Sequence, residues 1–406
     1  MRPSRQLHNA IQPFLFLFHL WNVPPMMTAE SLVPPFSLPS VVVMGGTHGN
    51  EYTGVWCIKA LDRRLQKEAA TVTSSDGRNS FPSLRISTLL GNPQAFQLNK
   101  RFVDEDLNRQ FTYESLRKSP LSSEGDTTRM SLEAKRAREL DILLGPKVFE
   151  GDEVAEESQR REPSTDVLID LHTTTCNMGI TLIVAEGDSL MTSAAAYVMM
   201  KLMHQHDVRI LMHTHGSQRR KPHVSSIARH SFTIEVGPVP QGVLRHDMVE
   251  KTERALDAAL EFLDRGNGEI RPSSPEVMKE LRKHFSNGTV PCYRSAPAKV
   301  RGEMSAKISW PCDPENENFP AWIVHQSVQD KDFTEIRTGD PLFVDLEGNV
   351  LPYDGSHGSP VHLMFINEGG YYYKSSGTGI SVAVRDQFQL ETGQLLKACE
   401  NYSVQS

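Results

Sequence analysis

The stretch Val41-Val-Val-Met-Gly-Gly-Thr-His-Gly-Asn-Glu51 predicts how this chain folds and where its chemistry lies. Its run of β-branched and apolar residues is typical of a strand that is covered on both faces of a sheet. Two glycines follow, and glycine permits the sharp turn with which such a strand leaves the sheet. His48 and Glu51 then come three residues apart, so one turn can present an imidazole and a carboxylate to the same cation.

A third ligand is predicted at the end of a second strand, Val167-Leu-Ile-Asp-Leu-His172. Sites in open α/β sheets form where strands end, and two histidines with one glutamate are a ligand set of catalytic zinc sites. Asp170 shares a strand face with His172 and could orient that ligand through a hydrogen bond. A His-x-x-Glu pair alone is a weak signal, and His213-Thr-His215 is a rival pair without a neighbouring carboxylate.

Apolar runs alternate with helical patterns through the first two-thirds of the chain, which predicts an α/β domain on a mostly parallel or mixed sheet. The predicted helices are Thr53–Ala69, Ser131–Leu144 and Val249–Leu263; the second begins with a capping serine and stops at Gly145-Pro146. The predicted strands are Val41–Met44, Leu84–Leu90, Val167–Leu171, Ile180–Val184, Val208–Met212 and Phe232–Val236.

The pattern changes after Gly266-Asn-Gly268 and Pro272, where short strand-like segments are separated by turns. We therefore predict an extension over residues 1–40, a catalytic domain over 41–268, a smaller β-rich domain over 269–395 and a tail over 396–406. The predicted strands of the β-rich domain are Ala321–His325, Pro341–Asp345, Asn349–Pro352 and Val361–Asn367.

Composition narrows the classes of protein that fit. The 406 residues carry a formal net charge of -7, which argues against a nucleic-acid binder, and 38% of them are hydrophobic, enough for a sizeable core. The five cysteines are widely spaced and odd in number, which favours a reducing compartment, and hence the cytoplasm, over a disulfide framework. The apolar run from Phe14 to Leu20 is too short to span a bilayer, and a targeting segment is the alternative to an unstructured extension.

Seven motifs in the same order resemble the aspartoacylase family, which is related to zinc carboxypeptidases. The resemblance runs from Val41 to Lys374 and implies a mixed sheet flanked by helices, with a smaller β-rich C-terminal domain that covers the active site. It rests on the segments Gly45–Glu51, Arg101–Arg109, Asp170–Thr174, Asn177–Gly179, Ile234–Pro238, Gly339–Pro341 and Asn367–Tyr371.

The resemblance implies a role for each matched residue. His48, Glu51 and His172 would hold one zinc ion per chain, and Glu235 would be the general base that activates water and later protonates the leaving amine. Arg101 would polarise the scissile carbonyl. The substrate-binding residues would be Asn108, Arg109 and Tyr371, with the planar fork of Arg109 matching a substrate carboxylate.

The implied reaction is removal of an acyl group, such as acetyl, from a small N-acyl-L-amino acid, and the family also suggests homo-oligomers. One departure bears on the substrate: members specific for N-acetyl-L-aspartate carry an arginine just before Ser226-Ile-Ala228, and this chain has Ser225 there. Arg219, Arg220 and Lys221 are other sources of positive charge. N-acyl aromatic or neutral amino acids are therefore comparable candidates to N-acetyl-L-aspartate.

Three other functions share these residues. A zinc carboxypeptidase and a succinyl-type deacylase would use the same metal set and base, but a small covering domain favours compact substrates over peptides. A zinc-binding module without catalysis would not need Glu235 or Arg109, and both are present.

Overall fold

The computed structural model describes residues 38–71, 80–117, 130–149, 162–213, 221–266, 275–300, 303–310, 320–372 and 379–396. The predicted extension lies almost entirely outside these residues, as do most of the predicted tail, His215, Arg219, Arg220, Cys312 and Cys399.

A large mixed sheet runs through the molecule. Its central strands β1 (Ser40–Gly45), β3 (Val167–Thr173) and β6 (His230–Gly237) are parallel neighbours, and β2 (Arg85–Leu90) lies parallel to β1 at one edge. β4 (Gly179–Ala185) is antiparallel to β6 and parallel to β5 (Val208–His213), which pairs in parallel with β7 (Thr289–Ser295). All six strands predicted in the first two-thirds of the chain are confirmed within two residues of their ends.

Helices cover both faces of this sheet, and β1 shows why its sequence is continuously apolar. Val41 and Val43 pack into a core shared with one helical layer, whereas Val42 and Met44 pack on the opposite side with α4. The predicted helices are confirmed as α1 (Tyr52–Thr71), α4 (Leu132–Leu144) and α6 (His246–Asp264). The others are α2 (Pro93–Gln97), α3 (Tyr113–Arg117), α5 (Ser189–Leu202) and α7 (Pro275–His284).

The double-glycine turn after β1 is required by close packing. A Cβ atom on Gly45 would lie 2.4 Å from the carbonyl oxygen of Gly54, because the first turn of α1 presses against the end of the strand. Gly46 has a φ of 71°, in the left-handed region that favours glycine. This geometry delivers His48 and Glu51 at the carboxyl edge of the sheet.

The C-terminal part is rich in short strands, as predicted, but two long strands in it were not predicted. β7 and β16 (Ile380–Gln389) are antiparallel partners that carry the large sheet across the predicted domain boundary at residue 268. β12 (Glu335–Ile336), β15 (Val361–Met364) and β10 (Lys307–Ile308) extend this edge. A separate three-stranded sheet contains β11 (Ile323–Val324), β13 (Pro341–Val344) and β14 (Val350–Pro352), and β8 (Ala298–Val300) pairs with β9 (Glu303–Ser305).

The strand predicted over Val361–Asn367 ends early, at Met364. Phe365 and Asn367 adopt positive φ angles of 53° and 63°, so the chain leaves the sheet and turns towards the pocket described below. Within the described residues, no helix is long and apolar enough to span a membrane.

Candidate metal centre and substrate pocket

His48, Glu51 and His172 come together as the sequence predicts. Nδ1 of His48 lies 2.6 Å from one Glu51 carboxylate oxygen, and Nδ1 of His172 lies 3.0 Å from the other. All three side chains are buried, and one ligand atom from each lies within 4.8 Å of the other two. Among the described residues, this is the only group of three or more histidine, cysteine or acidic side chains with such a geometry.

Each imidazole is oriented from behind by a carboxylate. Nε2 of His172 lies 2.7 Å from Asp170, whose other oxygen accepts a 2.8 Å hydrogen bond from the Thr47 hydroxyl. Nε2 of His48 lies 3.1 Å from Asp106. A carboxylate on the far nitrogen fixes the ring and its tautomer, which is the usual support of a metal-ligating histidine.

Charge at the centre favours a cation. Burial by itself would raise the pKa of Glu51, but the charges of His48 and His172 hold it well below its usual range. Burial would likewise lower the pKa of His172, yet Asp170 and Glu51 raise it well above its usual value. Two nitrogens and one carboxylate oxygen that converge in a buried place form a set that fits a catalytic divalent metal such as zinc.

Glu235 lies beside this centre. In the parallel pairing of β3 and β6, Glu235 is the register partner of His172, so both side chains emerge at the same edge of the sheet. Burial, with added repulsion from Glu51 and Glu368, raises the pKa of Glu235 to about 8. None of the described residues forms a hydrogen bond with its carboxylate, which faces the pocket.

Arg101 contacts the carboxylate of the candidate ligand Glu51. Its guanidinium donates to Glu51 at 3.4 Å and to Asp106 at 3.3 Å, and its Nε has no partner among the described residues. A Cβ atom on Gly370 would lie 2.7 Å from this guanidinium, so a larger residue there would force the Arg101 side chain to shift.

Arg109 and Asn108 line the same pocket but differ in what they contact. The guanidinium of Arg109 donates only to the backbone carbonyl of Asn108, at 2.9 Å, and has no acidic partner among the described residues. The side-chain oxygen of Asn108 accepts a 2.9 Å bond from the backbone N–H of Val224, which ties two loops together. Arg109 thus presents an unpaired cation to the pocket.

Tyr371 reaches the pocket from the loop that follows β15. The ammonium of Lys307 lies 3.3 Å from the centroid of its ring, and its hydroxyl lies 3.3 Å from the hydroxyl of Ser381. Glu368 anchors this loop, because it accepts hydrogen bonds from the hydroxyl of Thr174, from Thr175 and from the N–H of Gly370. The loop is thereby joined to the turn that directly follows His172.

Sequence reasoning missed three acidic residues that organise the site: Asp106, Glu133 and Glu368. Glu133 is the clearest case. It is buried at the start of α4, and its carboxylate accepts bonds of 2.7–3.1 Å from the backbone N–H groups of Val103, Asp104 and Glu105. The acidic first turn of α4 indicated only a helix start, so no local signal revealed this role.

Basic and neutral side chains line the pocket as well as the metal centre. The cavity has a volume of about 180 Å³, and its lining includes His213, Lys221, His223 and Ser225. The rings of His213 and His223 are 6.4 Å apart, and burial together with the charges of Arg109 and His213 holds the pKa of His223 well below its usual value. His213 therefore belongs to the pocket wall, while its rival partner His215 lies outside the described residues.

Comparison with known proteins agrees with this geometry. Residues 37–263 match the succinylglutamate desuccinylase/aspartoacylase catalytic domain, and residues 304–380 match the AstE/AspA barrel-sandwich hybrid domain. An N-acyl-aromatic-L-amino acid amidohydrolase (carboxylate-forming) of Xenopus laevis is 34% identical over 84% of this chain and 92% of its own length. Aspartoacylase of Xenopus tropicalis is 30% identical over 86% of this chain and 93% of its own length.

The fold has a close counterpart among solved structures. The crystal structure of murine aminoacylase 3 has a TM-score of 0.65 and 27% sequence identity, and the match covers 90% of this chain and 99% of that one. The α/β fold with a β-rich C-terminal domain and the family resemblance are both confirmed. The chain belongs to the succinylglutamate desuccinylase/aspartoacylase family.

Proposed function

We propose that this amide-bond hydrolase removes the acyl group, in most cases acetyl, from N-acyl-L-amino acids, with one zinc ion held by His48, Glu51 and His172. The observation that carries the proposal is the register of β3 and β6, which brings Glu235 next to the ligand His172. A ligand set and a proton acceptor are the two parts that hydrolysis of an amide requires.

Zinc in such a set lowers the pKa of a water molecule to roughly 7 and polarises a carbonyl group. Glu235 takes the proton from the attacking water and later gives it to the departing amine. Its carboxylate is placed for this double task, because it faces the pocket beside His172 and none of the described residues forms a hydrogen bond with it.

Arg101 stabilises the negative charge that develops on the scissile carbonyl, since its guanidinium is buried beside Glu51 and its Nε is uncommitted. Arg109 binds the α-carboxylate of the substrate through two parallel hydrogen bonds. Asn108 holds the loops that line this position, and Tyr371 closes over the bound substrate from the C-terminal side.

Both N-acyl aromatic or neutral amino acids and N-acetyl-L-aspartate are candidate substrates. Relatives named for each activity match this chain at 30–34% identity, so overall similarity does not separate them. Ser225 lines the pocket, and a hydroxyl cannot replace the guanidinium fork of an aspartate-specific enzyme. A panel of N-acetyl amino acids, assayed on protein of known zinc content, measures the preference.

Glu235→Gln tests the mechanism. Loss of the base should lower kcat on the order of 10²- to 10⁴-fold while zinc stays at one ion per chain. Glu235→Ala should behave alike, and Glu250→Gln, an exposed carboxylate on α6, is the matched control that should leave kcat unchanged. A Glu235→Gln enzyme with wild-type kcat would refute the general-base role and point to another base.

The panel also separates the alternative reactions. A zinc carboxypeptidase would turn over peptides longer than dipeptides faster than N-acetyl amino acids, and a succinyl-type deacylase would prefer succinyl to acetyl. We expect neither, because the cavity is small and the loop with Tyr371 borders it.

We also propose a cytoplasmic location, supported by Cys57, Cys176 and Cys292, which are buried and unpaired. Subcellular fractionation checks it, and recovery with organelles or in the medium would contradict it. Association into homo-oligomers remains a prediction that light scattering of the purified protein measures.

A further inference from the structure

Lys147 is a buried cation for which the proposed reaction has no use. It is 2% exposed and is not one of the residues that line the pocket. Its ammonium donates to the backbone carbonyl oxygens of Phe111, at 2.5 Å, and of Lys221, at 2.6 Å. Burial lowers the pKa of Lys147 to about 8. A buried ammonium is costly unless its hydrogen bonds are made, so these two carbonyls are the contacts that hold it.

The two carbonyls belong to two segments that both contribute side chains to the pocket. Residues 107–111 contribute Asn108 and Arg109, and residues 221–225 contribute Lys221, His223 and Ser225. Lys147 therefore joins two pocket-lining segments without entering the pocket itself.

Two backbone N–H groups link the same segments. The N–H of Phe111 donates to the carbonyl oxygen of Pro222 at 3.1 Å, and the N–H of Val224 donates to the side chain of Asn108 at 2.9 Å. Each of these is a neutral bond, whereas the ammonium of Lys147 is charged and donates to both segments at once. Hydrogen bonds from a charged donor are roughly twice as strong as neutral ones, so Lys147 is the strongest of these links.

Lys147 is itself held by the helical layer beneath these segments. Its N–H donates to one carboxylate oxygen of Asp141 on α4, at 2.6 Å, and the other oxygen accepts from Arg117 on α3, also at 2.6 Å. The guanidinium of Arg117 donates in addition to the carbonyl oxygen of Lys147, at 3.3 Å. The position of the ammonium is thus fixed by two helices, and the position of the two segments depends on it.

We propose that Lys147 is a positioning residue for substrate binding, whose ammonium holds residues 107–111 and 221–225 together so that Arg109 stays where it meets the substrate α-carboxylate. This inference rests on the proposed deacylase function. Lys147 contacts none of the candidate metal ligands, so its loss should weaken binding of the substrate and leave the chemical step and the zinc ion in place.

Lys147→Met keeps the apolar stem but leaves both carbonyls without their donor. For an N-acetyl amino acid that the wild type hydrolyses, KM should rise on the order of 10-fold, while kcat changes less than about threefold and zinc stays at one ion per chain. Lys147→Arg restores a charged donor and should recover part of the wild-type KM. A Lys147→Met enzyme with the wild-type KM, or with a lower kcat at an unchanged KM, would overturn the proposal.

Two control variants separate positioning from general stability. Leu256→Ala removes buried volume from α6, in the core on the other face of the sheet, and should lower the Tm without raising KM. Lys135→Met, at an exposed position of α4, should change neither quantity. If Leu256→Ala raised KM as much as Lys147→Met does, the effect would come from stability alone and Lys147 would not position the substrate.

A double-mutant cycle tests whether Lys147 acts through Arg109. Arg109→Met alone should raise KM, and adding Lys147→Met to it should raise KM by less than about threefold more, because the residue that Lys147 positions is already gone. If the two rises in KM multiplied, the two residues would act independently and the proposal would be wrong.

Amide hydrogen exchange tests the link without any substrate. In Lys147→Met, the N–H groups of Phe111 and Val224 should exchange on the order of 10-fold faster, while those of β1 keep their wild-type rates. Unchanged exchange at both amides would overturn the inference alone. A zinc-loaded wild type that hydrolyses no N-acyl amino acid would overturn the proposed function, and the exchange rates would then decide whether Lys147 holds the two segments.

Discussion

At the scale of single residues, the metal centre is defined by what stands behind each ligand. Asp170 and Asp106 contact the far nitrogens of His172 and His48, and Thr47 in turn fixes Asp170. These contacts orient the rings, but they also stabilise the protonated imidazole. A metal ion must therefore displace a proton from His172, whose pKa is well above its usual value.

Zinc affinity should consequently rise with pH. Below the raised pKa of His172, each unit of lower pH adds competition from a proton and weakens the apparent zinc affinity by up to about tenfold. Competition with a chromophoric chelator at several pH values measures this slope. An affinity that does not change with pH would contradict it.

Asp170→Asn supplies the matched comparison for this measurement. It should lower the pKa of His172, so that zinc affinity changes with pH over a lower pH range. It should also weaken zinc binding about 10- to 100-fold. Asp62→Asn changes a carboxylate on α1 that contacts none of the candidate ligands, and should leave the zinc affinity and its pH dependence unaffected.

At the scale of elements, the site depends on loops that are held by buried carboxylates of other segments. Glu133, in the first turn of α4, accepts three backbone N–H bonds from residues 103–105 and one from the side chain of Asn92. Residues 103–105 directly precede Asp106 and Arg109 in the chain. Their bonds to Glu133 therefore fix the loop whose Asp106 supports the candidate ligand His48 and whose Arg109 would bind substrate.

Glu133→Gln should loosen this loop without removing a ligand. An amide NH₂ would face backbone N–H groups in place of an acceptor oxygen, which costs on the order of 1–3 kcal/mol in unfolding free energy. We expect a higher KM and a lower kcat/KM with zinc content near one per chain. Glu139→Gln, an exposed neighbour on the same helix, is the control; equal stability and kinetics in both variants would refute the prediction.

At the scale of the whole molecule, the metal centre joins three strands with the C-terminal loop. The ligands follow β1 and end β3, Glu235 lies on β6, and Glu368 connects the turn after His172 to the loop that carries Tyr371. A metal ion at this junction stabilises the folded state only, since the unfolded chain cannot assemble the three ligands.

Removal of zinc with a chelator should therefore lower the Tm, and added zinc should restore it. Zinc at 100 times its Kd stabilises by about 2.7 kcal/mol. The loss should be larger at pH 8 than at pH 6, because protonation of His172 stabilises the metal-free protein below its raised pKa and that contribution is lost as pH rises through it. Differential scanning calorimetry at both pH values measures this, and an equal Tm with and without zinc would argue against a metal-linked fold.

The sequence by itself predicted six strands and three helices of the α/β part, and it placed the candidate ligands His48, Glu51 and His172 at strand ends. A continuous apolar run such as Val41–Met44 indicates a strand that is buried on both faces. The double glycine that follows it indicates a sharp turn, and this turn brings His48 and Glu51 to the end of the strand. These are local relations, because the backbone geometry depends on residues that are neighbours in the sequence. For the same reason Ser131 was recognisable as the cap of α4, where its hydroxyl accepts from Ala134.

Only the tertiary structure decided which distant residues support these ligands. Glu368 is 194 residues from Thr174, and Asp106 is 58 residues from His48, and nothing near either one in the chain indicates such a partner. β7 and β16 were also missed. Their sequences mix polar and apolar residues, and they form strands because each pairs with the other. Register between strands brings Glu235 to His172, and contacts of this kind depend on the packing of the whole chain rather than on the identity of adjacent residues.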